Sequence, residues 1–232
     1  MAVSLDEQRY LYALRNEKYI EFGGESDWVD VEADEVDLAK CSPKSMEAIS
    51  PPQVTWEQWC GVLQRGVPGS FVLFRLSPKT TSTRAPGPGP IRSKEWIPFS
   101  KTHLANRRAI LHTDGARAYK WTVPGLMHDN VVHMKKMVTI KGKRTWRNPF
   151  YSKNFTHTLP DGSSITVRGG SQVIDRFWRT LRSALVGRSC RVGSHAFERR
   201  IRSCQWNYWK KGQDKWIATG EMMTENRLIL SE

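Results

Sequence analysis

Three aspartates far apart in the chain, Asp34, Asp114 and Asp175, each stand among residues that would fix their backbone. Asp34 lies in Trp28-Val29-Asp30-Val31-Glu32-Ala33-Asp34-Glu35-Val36, a β-branched run broken at alternate positions by acids. Side chains alternate across a strand, so Glu32 and Asp34 share one face. Asp114 follows the apolar run Ala109-Ile110-Leu111-His112 and precedes Gly115, which puts it at a strand end. Asp175 belongs to residues 173–185, where Ile174, Phe177, Trp178, Leu181 and Leu185 make one apolar stripe of a helix. It shares the polar face with Arg179 and Arg182. Carboxylates are hard oxygen ligands, and three that converge can hold two Mg2+ or Mn2+ ions roughly 3.5 to 4 Å apart, an arrangement suited to phosphoryl transfer. Each acid also has a plainer use. Asp34, like Glu32 and Glu35, suits a solvated strand edge, Asp114 a turn or helix cap, and Asp175 an ion pair with Arg179. The order strand, strand end, helix favours the shared cation site.

The elements that must position these acids follow from periodicity and breakers. Residues 5–20 read as a short amphipathic helix, stopped by Gly23 and Gly24. Residues 57–64 and 70–76 read as strands joined through Arg65-Gly66-Val67-Pro68-Gly69, completing a three-stranded antiparallel meander with the Asp34 strand. Residues 42–52 form a Pro/Ser-rich connection, and residues 77–91, with Ala85-Pro86-Gly87-Pro88-Gly89-Pro90, are expected to be an irregular surface loop. A helix over 96–107 precedes the Asp114 strand, and a short strand is expected at 130–134. Residues 135–170 read as a basic hairpin insertion turning at Pro160-Asp161-Gly162, and residues 194–209 as a further helix. The expected division is an N-terminal helical segment at 1–22, a core at 23–215 and a C-terminal tail at 216–232.

With a net charge of +13, the chain is drawn to polyanions. The excess is concentrated in Lys135, Lys136, Lys141, Lys143, Arg144, Arg147, Lys153 and Arg168, against the single acid Asp161. With Arg179 and Arg182 these are the candidate contacts to double-stranded DNA. No apolar run of about 18 residues is present, and no free amphipathic face suits a membrane. The charged N-terminus lacks the apolar core of a secretory leader, so an intracellular protein is expected, nuclear in a eukaryote and otherwise in the cytoplasm or nucleoid. The four cysteines form no CxxC pair and read as free thiols. The ten tryptophans exceed what the core needs; packing is the expected use of most, and stacking on bases is open to the rest. His112 and His133 read as hydrogen-bonded structural histidines. Gly87 and Gly89 lack the following GK[ST] of a phosphate loop.

The same residues resemble the Merlin-type DDE transposases and their bacterial insertion-sequence relatives. Gly23-Gly24 with Val31-Glu32-Ala33-Asp34-Glu35 is similar to the first acid motif, and Trp59-Cys60-Gly61-Val62-Leu63-Gln64-Arg65-Gly66 to the second strand. His112-Thr113-Asp114-Gly115-Ala116-Arg117-Ala118-Tyr119 resembles the second acid motif, Val131-Val132-His133 the V-N-H strand, and Ile174-Asp175-Arg176-Phe177-Trp178 the third motif. Arg182 takes the place of a family lysine. The resemblance spans roughly 23–209 and implies a ribonuclease H-like α/β fold, a mixed sheet flanked by helices with the basic hairpin inserted before the last catalytic helix. It further implies two-metal cutting and joining of double-stranded DNA, with Asp34, Asp114 and Asp175 as ligands and a homodimer on DNA. Two features depart from the family. Asp175 stands where the family has glutamate, and the family's zinc ribbon and helix-turn-helix are not in the sequence. The alternative expectation is a catalytically inactive, transposase-derived DNA-binding protein.

Overall fold

The computed structural model describes residues 3–41, 52–133, 135–186 and 193–230. The first half runs through α1 (Leu5–Asn16), β1 (Val29–Cys41), β2 (Gln53–Gln64), β3 (Val72–Arg75), β4 (Lys79–Ser82), α2 (Ser93–His103) and β5 (Ala109–Thr113). The second half adds β6 (Leu126–Asn130), β7 (Lys136–Ile140), β8 (Lys143–Arg147), β9 (Lys153–Thr158), β10 (Ser164–Gly169), α3 (Gln172–Leu185), α4 (His195–Trp209) and α5 (Lys215–Leu230).

β1 is the spine. The main sheet has the order β3-β2-β1-β5-β6, with β4 paired to the far end of β2. β1, β2 and β3 are antiparallel, as the expected meander requires, while β5 and β6 run parallel to β1. The fold is therefore α/β, a mixed sheet with helices packed on it. Alternation along β1 and β2 feeds two apolar layers. Val31, Ala33, Cys60 and Val62 join Trp96 of α2, Leu111 and Tyr119 on one face. Val36, Trp59 and Leu63 join α1, α3, α4 and α5 on the other. Glu32 and Asp34 have the same parity as Val36 and lie beneath α3, to which both are hydrogen-bonded.

Several elements differ from the sequence reading, each for a local reason. The stretch at 77–91 is not wholly irregular, because Lys79-Thr80-Thr81-Ser82 precedes the Pro/Gly run and adds an edge strand to β2. The strand expected at 130–134 lies four residues earlier: β6 pairs with β5 only as far as Thr113 opposite Asn130, so the β-branched Val131-Val132 runs past its partner's end. Met134, like the 42–51 connection and Cys190, lies outside the described residues. The basic insertion is two hairpins rather than one. β7 and β8 join at Lys141-Gly142, both at positive φ (48° and 77°), the geometry of a tight two-residue turn. β9 and β10 join around Asp161, whose carboxylate accepts the Ser163 N–H at 2.9 Å. Of the terminal segments, α1 contributes Tyr12 and Ala13 to the core and α5 contributes Ala218 and Met222, so the stretch read as a tail packs as a helix. Among the described residues no helix is long and apolar enough to cross a membrane.

Candidate active site

β1, the end of β5 and the first turns of α3 carry the three acids. Asp34 sits opposite Gly61 in the β1–β2 pair. A side chain at Gly61 would put its Cβ 2.8 Å from Cη2 of Trp178 and 2.9 Å from Cε2 of Phe71. Glycine thus lets the Trp178 indole lie on the sheet, where its Nε1–H donates to Asp34 Oδ2 at 3.0 Å. Trp178, part of the apolar stripe of α3, is buried, and it also orients an acid.

Asp34 is partly buried, and burial pushes its carboxyl well above the usual carboxylate range. The negative fields of Glu35, Asp175 and Asp114 push in the same direction, and the Trp178 N–H only partly opposes them. Asp175 is also raised, by burial and by Asp114, against the pull of His133, the Ser171 hydroxyl and Arg179. The negative fields of Asp175 and Asp114 thus reach Asp34, and that of Asp114 reaches Asp175. Asp114 also makes the turn that its plainer reading foresaw, because its Oδ1 accepts the Ala116 N–H at 2.8 Å.

Asp34, Glu35, Asp175 and Trp178 line a cavity of about 450 Å³ with Tyr151, Gln172, Arg179 and Arg182. A second hollow of about 430 Å³ shares Glu35 and is lined by Asp114, Asp37, Gln58 and the 86–90 loop. Glu35, on the opposite face of β1 from Asp34, is anchored by the Tyr119 hydroxyl at 2.5 Å and the Ile91 N–H at 3.0 Å. Burial raises its carboxyl despite these bonds.

A second layer of residues holds α3 in place. Glu32 is fully buried and accepts the N–H groups of Val173 and Ile174 at 2.9 and 3.0 Å. These belong to the first turn of α3, which has no acceptor of its own for them. The other oxygen of Glu32 accepts Nε of Arg65 at 2.8 Å, and the same guanidinium donates to the carbonyls of Arg168 and Gly170. Arg65 thus ties the end of β10 to the helix that carries Asp175. Beside it, His112 is buried between Asp129 and Asp30, at 2.8 and 2.9 Å, and His157 reaches Asp129 at 3.1 Å. Burial disfavours the imidazolium, but the two carboxylate hydrogen bonds outweigh it and His112 is raised. His112 is the structural histidine that the sequence suggested. His133 differs: its Nε2 is buried without a hydrogen-bond partner, and its ring packs against Tyr151.

Of the predicted cations, Arg179 and Arg182 line the acid cavity. Lys135, Lys141, Lys143, Arg144 and Arg147 are exposed, the last four on the β7–β8 hairpin or its turn. For Lys136 only the backbone, in β7, is described. Arg147 lines a different hollow, with Val131, Val132 and Phe150.

Among the described residues no three of His, Cys, Asp and Glu form a group arranged to hold a metal ion. The donor chemistry nevertheless fits a hard divalent cation. All three candidates are carboxylates, and the repulsion that adds to burial in raising Asp34 is what a bound cation would relieve. No family model, curated protein or solved structure matches this chain.

Proposed function

We propose that the chain is the catalytic core of a DDD-type member of the DDE transposases, with a ribonuclease H-like fold, that cuts and joins double-stranded DNA using Mg2+ or Mn2+. The observation that carries this reading is that Asp34, from the middle of β1, and Asp175, from the start of α3, line one cavity, while Asp114, just past β5, lines the hollow that shares Glu35 with it. The sheet order supports it, since three antiparallel strands continued by two parallel ones is the arrangement a ribonuclease H-like core requires. So does the order of the motifs that resemble the Merlin-type family.

Asp34, Asp114 and Asp175 would hold the cations. Such ions would supply Lewis acidity for the attack of a water or DNA 3′-hydroxyl and for the departure of the leaving oxygen. The chain's own residues set the stage. Trp178 fixes the Asp34 carboxylate, Glu32 and Arg65 fix the helix that bears Asp175, and Arg179 and Arg182 draw a phosphate towards the acids. The exposed cations of the β7–β8 hairpin add backbone affinity that falls steeply with salt.

The test is nicking and joining of duplex DNA with Mg2+ or Mn2+ by the wild type, Asp34→Ala and Asp114→Ala. Loss of cleavage in both variants, with melting unimpaired, is the expected result; cleavage unchanged in either ends the reading. A second reading, an inactive transposase-derived DNA-binding protein, is favoured by the shorter Asp175 and by the lack of an assembled three-ligand group among the described residues. It is chosen if the wild type binds duplex DNA in a salt-sensitive way and cleaves none with either cation.

A further inference from the structure

The tryptophans divide by environment. Trp56, Trp59, Trp96, Trp178, Trp206 and Trp209 are buried, whereas Trp121, Trp146 and Trp216 are 47%, 61% and 87% exposed. Of these three, Trp146 stands on the hairpin where the positive charge is concentrated. Between residues 135 and 160 the sequence has Lys135, Lys136, Lys141, Lys143, Arg144, Arg147 and Lys153 and no acid. Register fixes what surrounds the indole. Met137 is its cross-strand partner and Thr139 that of Arg144, so alternation puts Met137, Thr139, Arg144 and Trp146 on one face of the ribbon. Met137 is 50% exposed, and Arg144 is exposed. The opposite face carries Val138, which with Arg147 lines the hollow against Val131 and Val132, so it is the Trp146 face that turns outward.

An uncovered aromatic beside an arginine, on a ribbon with cations on both faces, matches a polyanion that also offers flat apolar rings. Nucleic acid has both properties, but a base within a duplex is already stacked on its neighbours. Only an unpaired or unstacked base has a face free. An anionic bilayer matches less well, because inserting Trp146 and Met137 would carry Arg144, on the same face, towards the hydrocarbon. We propose that Trp146, framed by Met137 and Arg144, is a stacking platform for unpaired nucleobases, so that the β7–β8 hairpin prefers frayed or single-stranded DNA ends to fully paired duplex. The proposal rests on the DNA reading above for the identity of the polymer and not on the acids.

The test is fluorescence anisotropy of the full chain in EDTA, at fixed salt, with a labelled blunt duplex and the same duplex carrying a short unpaired 3′ extension. The wild type is expected to bind the extended DNA more tightly. Trp146→Leu should lose roughly tenfold or more on the extended DNA and little on the blunt one, and Trp146→Phe should recover most of the loss. Lys143→Glu should weaken both alike and flatten the salt dependence. Equal affinity of Trp146→Leu and wild type for both DNAs overturns the platform, as does an equal loss on both. It is overturned too if Trp146→Leu abolishes binding to phosphatidylserine vesicles while the DNA preference stands. Because these measurements exclude metal, failure here with acid-dependent cleavage intact removes the platform alone. A platform that survives while cleavage proves independent of the acids removes the catalytic reading alone.

Discussion

Replacing Glu32 with alanine should loosen the helix that carries Asp175. The carboxylate has no exposed surface and makes three hydrogen bonds, to the Val173 and Ile174 N–H groups and to Arg65, at 2.9, 3.0 and 2.8 Å. Ser171, at the N-cap position of α3, makes no capping hydrogen bond with its side chain, so no other side chain is seen to take over. Breaking a buried ion pair from one side costs about 3–5 kcal/mol. Arg65 is 21% exposed and keeps its bonds to the Arg168 and Gly170 carbonyls, which moves the expectation to the lower end, about 3 kcal/mol. At about 2–4 °C per kcal/mol for a domain of this size, Tm should fall by roughly 6–12 °C. Glu32→Gln keeps the shape and an acceptor for the helix but turns an amide N–H towards Arg65, so about 1–2 kcal/mol is expected. Urea unfolding at pH 7 measures both. Glu32→Ala within about 0.5 kcal/mol of the wild type, the range of an ordinary surface change, would refute the clamp.

Asp34→Asn should raise stability at pH 7 and above, because a carboxyl held well above its usual range is costly once ionised. The gain should vanish as pH falls towards the ordinary aspartate value of 3.8, where both side chains are neutral; melting scans that show the variant less stable at pH 8 would contradict this. Gly61→Ala should cost about 1–3 kcal/mol by overpacking against Trp178 and Phe71, read by chemical denaturation, and a neutral result would mean the indole does not lie where it is described. His112, facing Asp129, Asp30, Arg65 and His157, has a raised pKa, so its contribution is fully present below the ordinary value of 6.5 and lost as pH rises through the folded value. The stability difference between the wild type and His112→Gln should therefore shrink from pH 6 to pH 9; a pH-independent difference would show that the imidazolium is not what the carboxylates hold.

Periodicity made β1 and α3 legible, because Val31 and Ala33 bury one face of β1 and Val36 the other, while Ile174, Phe177, Trp178 and Leu181 bury one side of α3. It failed at β6, where the partner strand's length and not β-propensity decides which residues pair, so Leu126–Asn130 displaced the more β-branched stretch after it. The placement of the three candidate acids was legible, because Asp34 lies within a recognisable strand, Asp114 just past another and Asp175 within a recognisable helix. The residues that steady them were not. Glu32 shares a face with Asp34, yet nothing local announces that it reaches α3, 141 residues on, and Arg65 read only as part of a turn. Trp178 lies three residues after Asp175, and its indole N–H could be connected to Asp34 only with the knowledge that Gly61 opposes Asp34 and leaves the space open. The same reasoning underlies Trp146, whose neighbours on the ribbon are set by register with Met137.

The claim that three carboxylates make a divalent-cation site is tested most directly by calorimetric titration of Mn2+ into the wild-type chain and into Asp34→Asn, Asp114→Asn and Asp175→Asn. Saturable binding by the wild type that is lost or strongly weakened in each variant is expected. Wild-type binding that survives any of the three changes undiminished, or no wild-type binding at all, would contradict it.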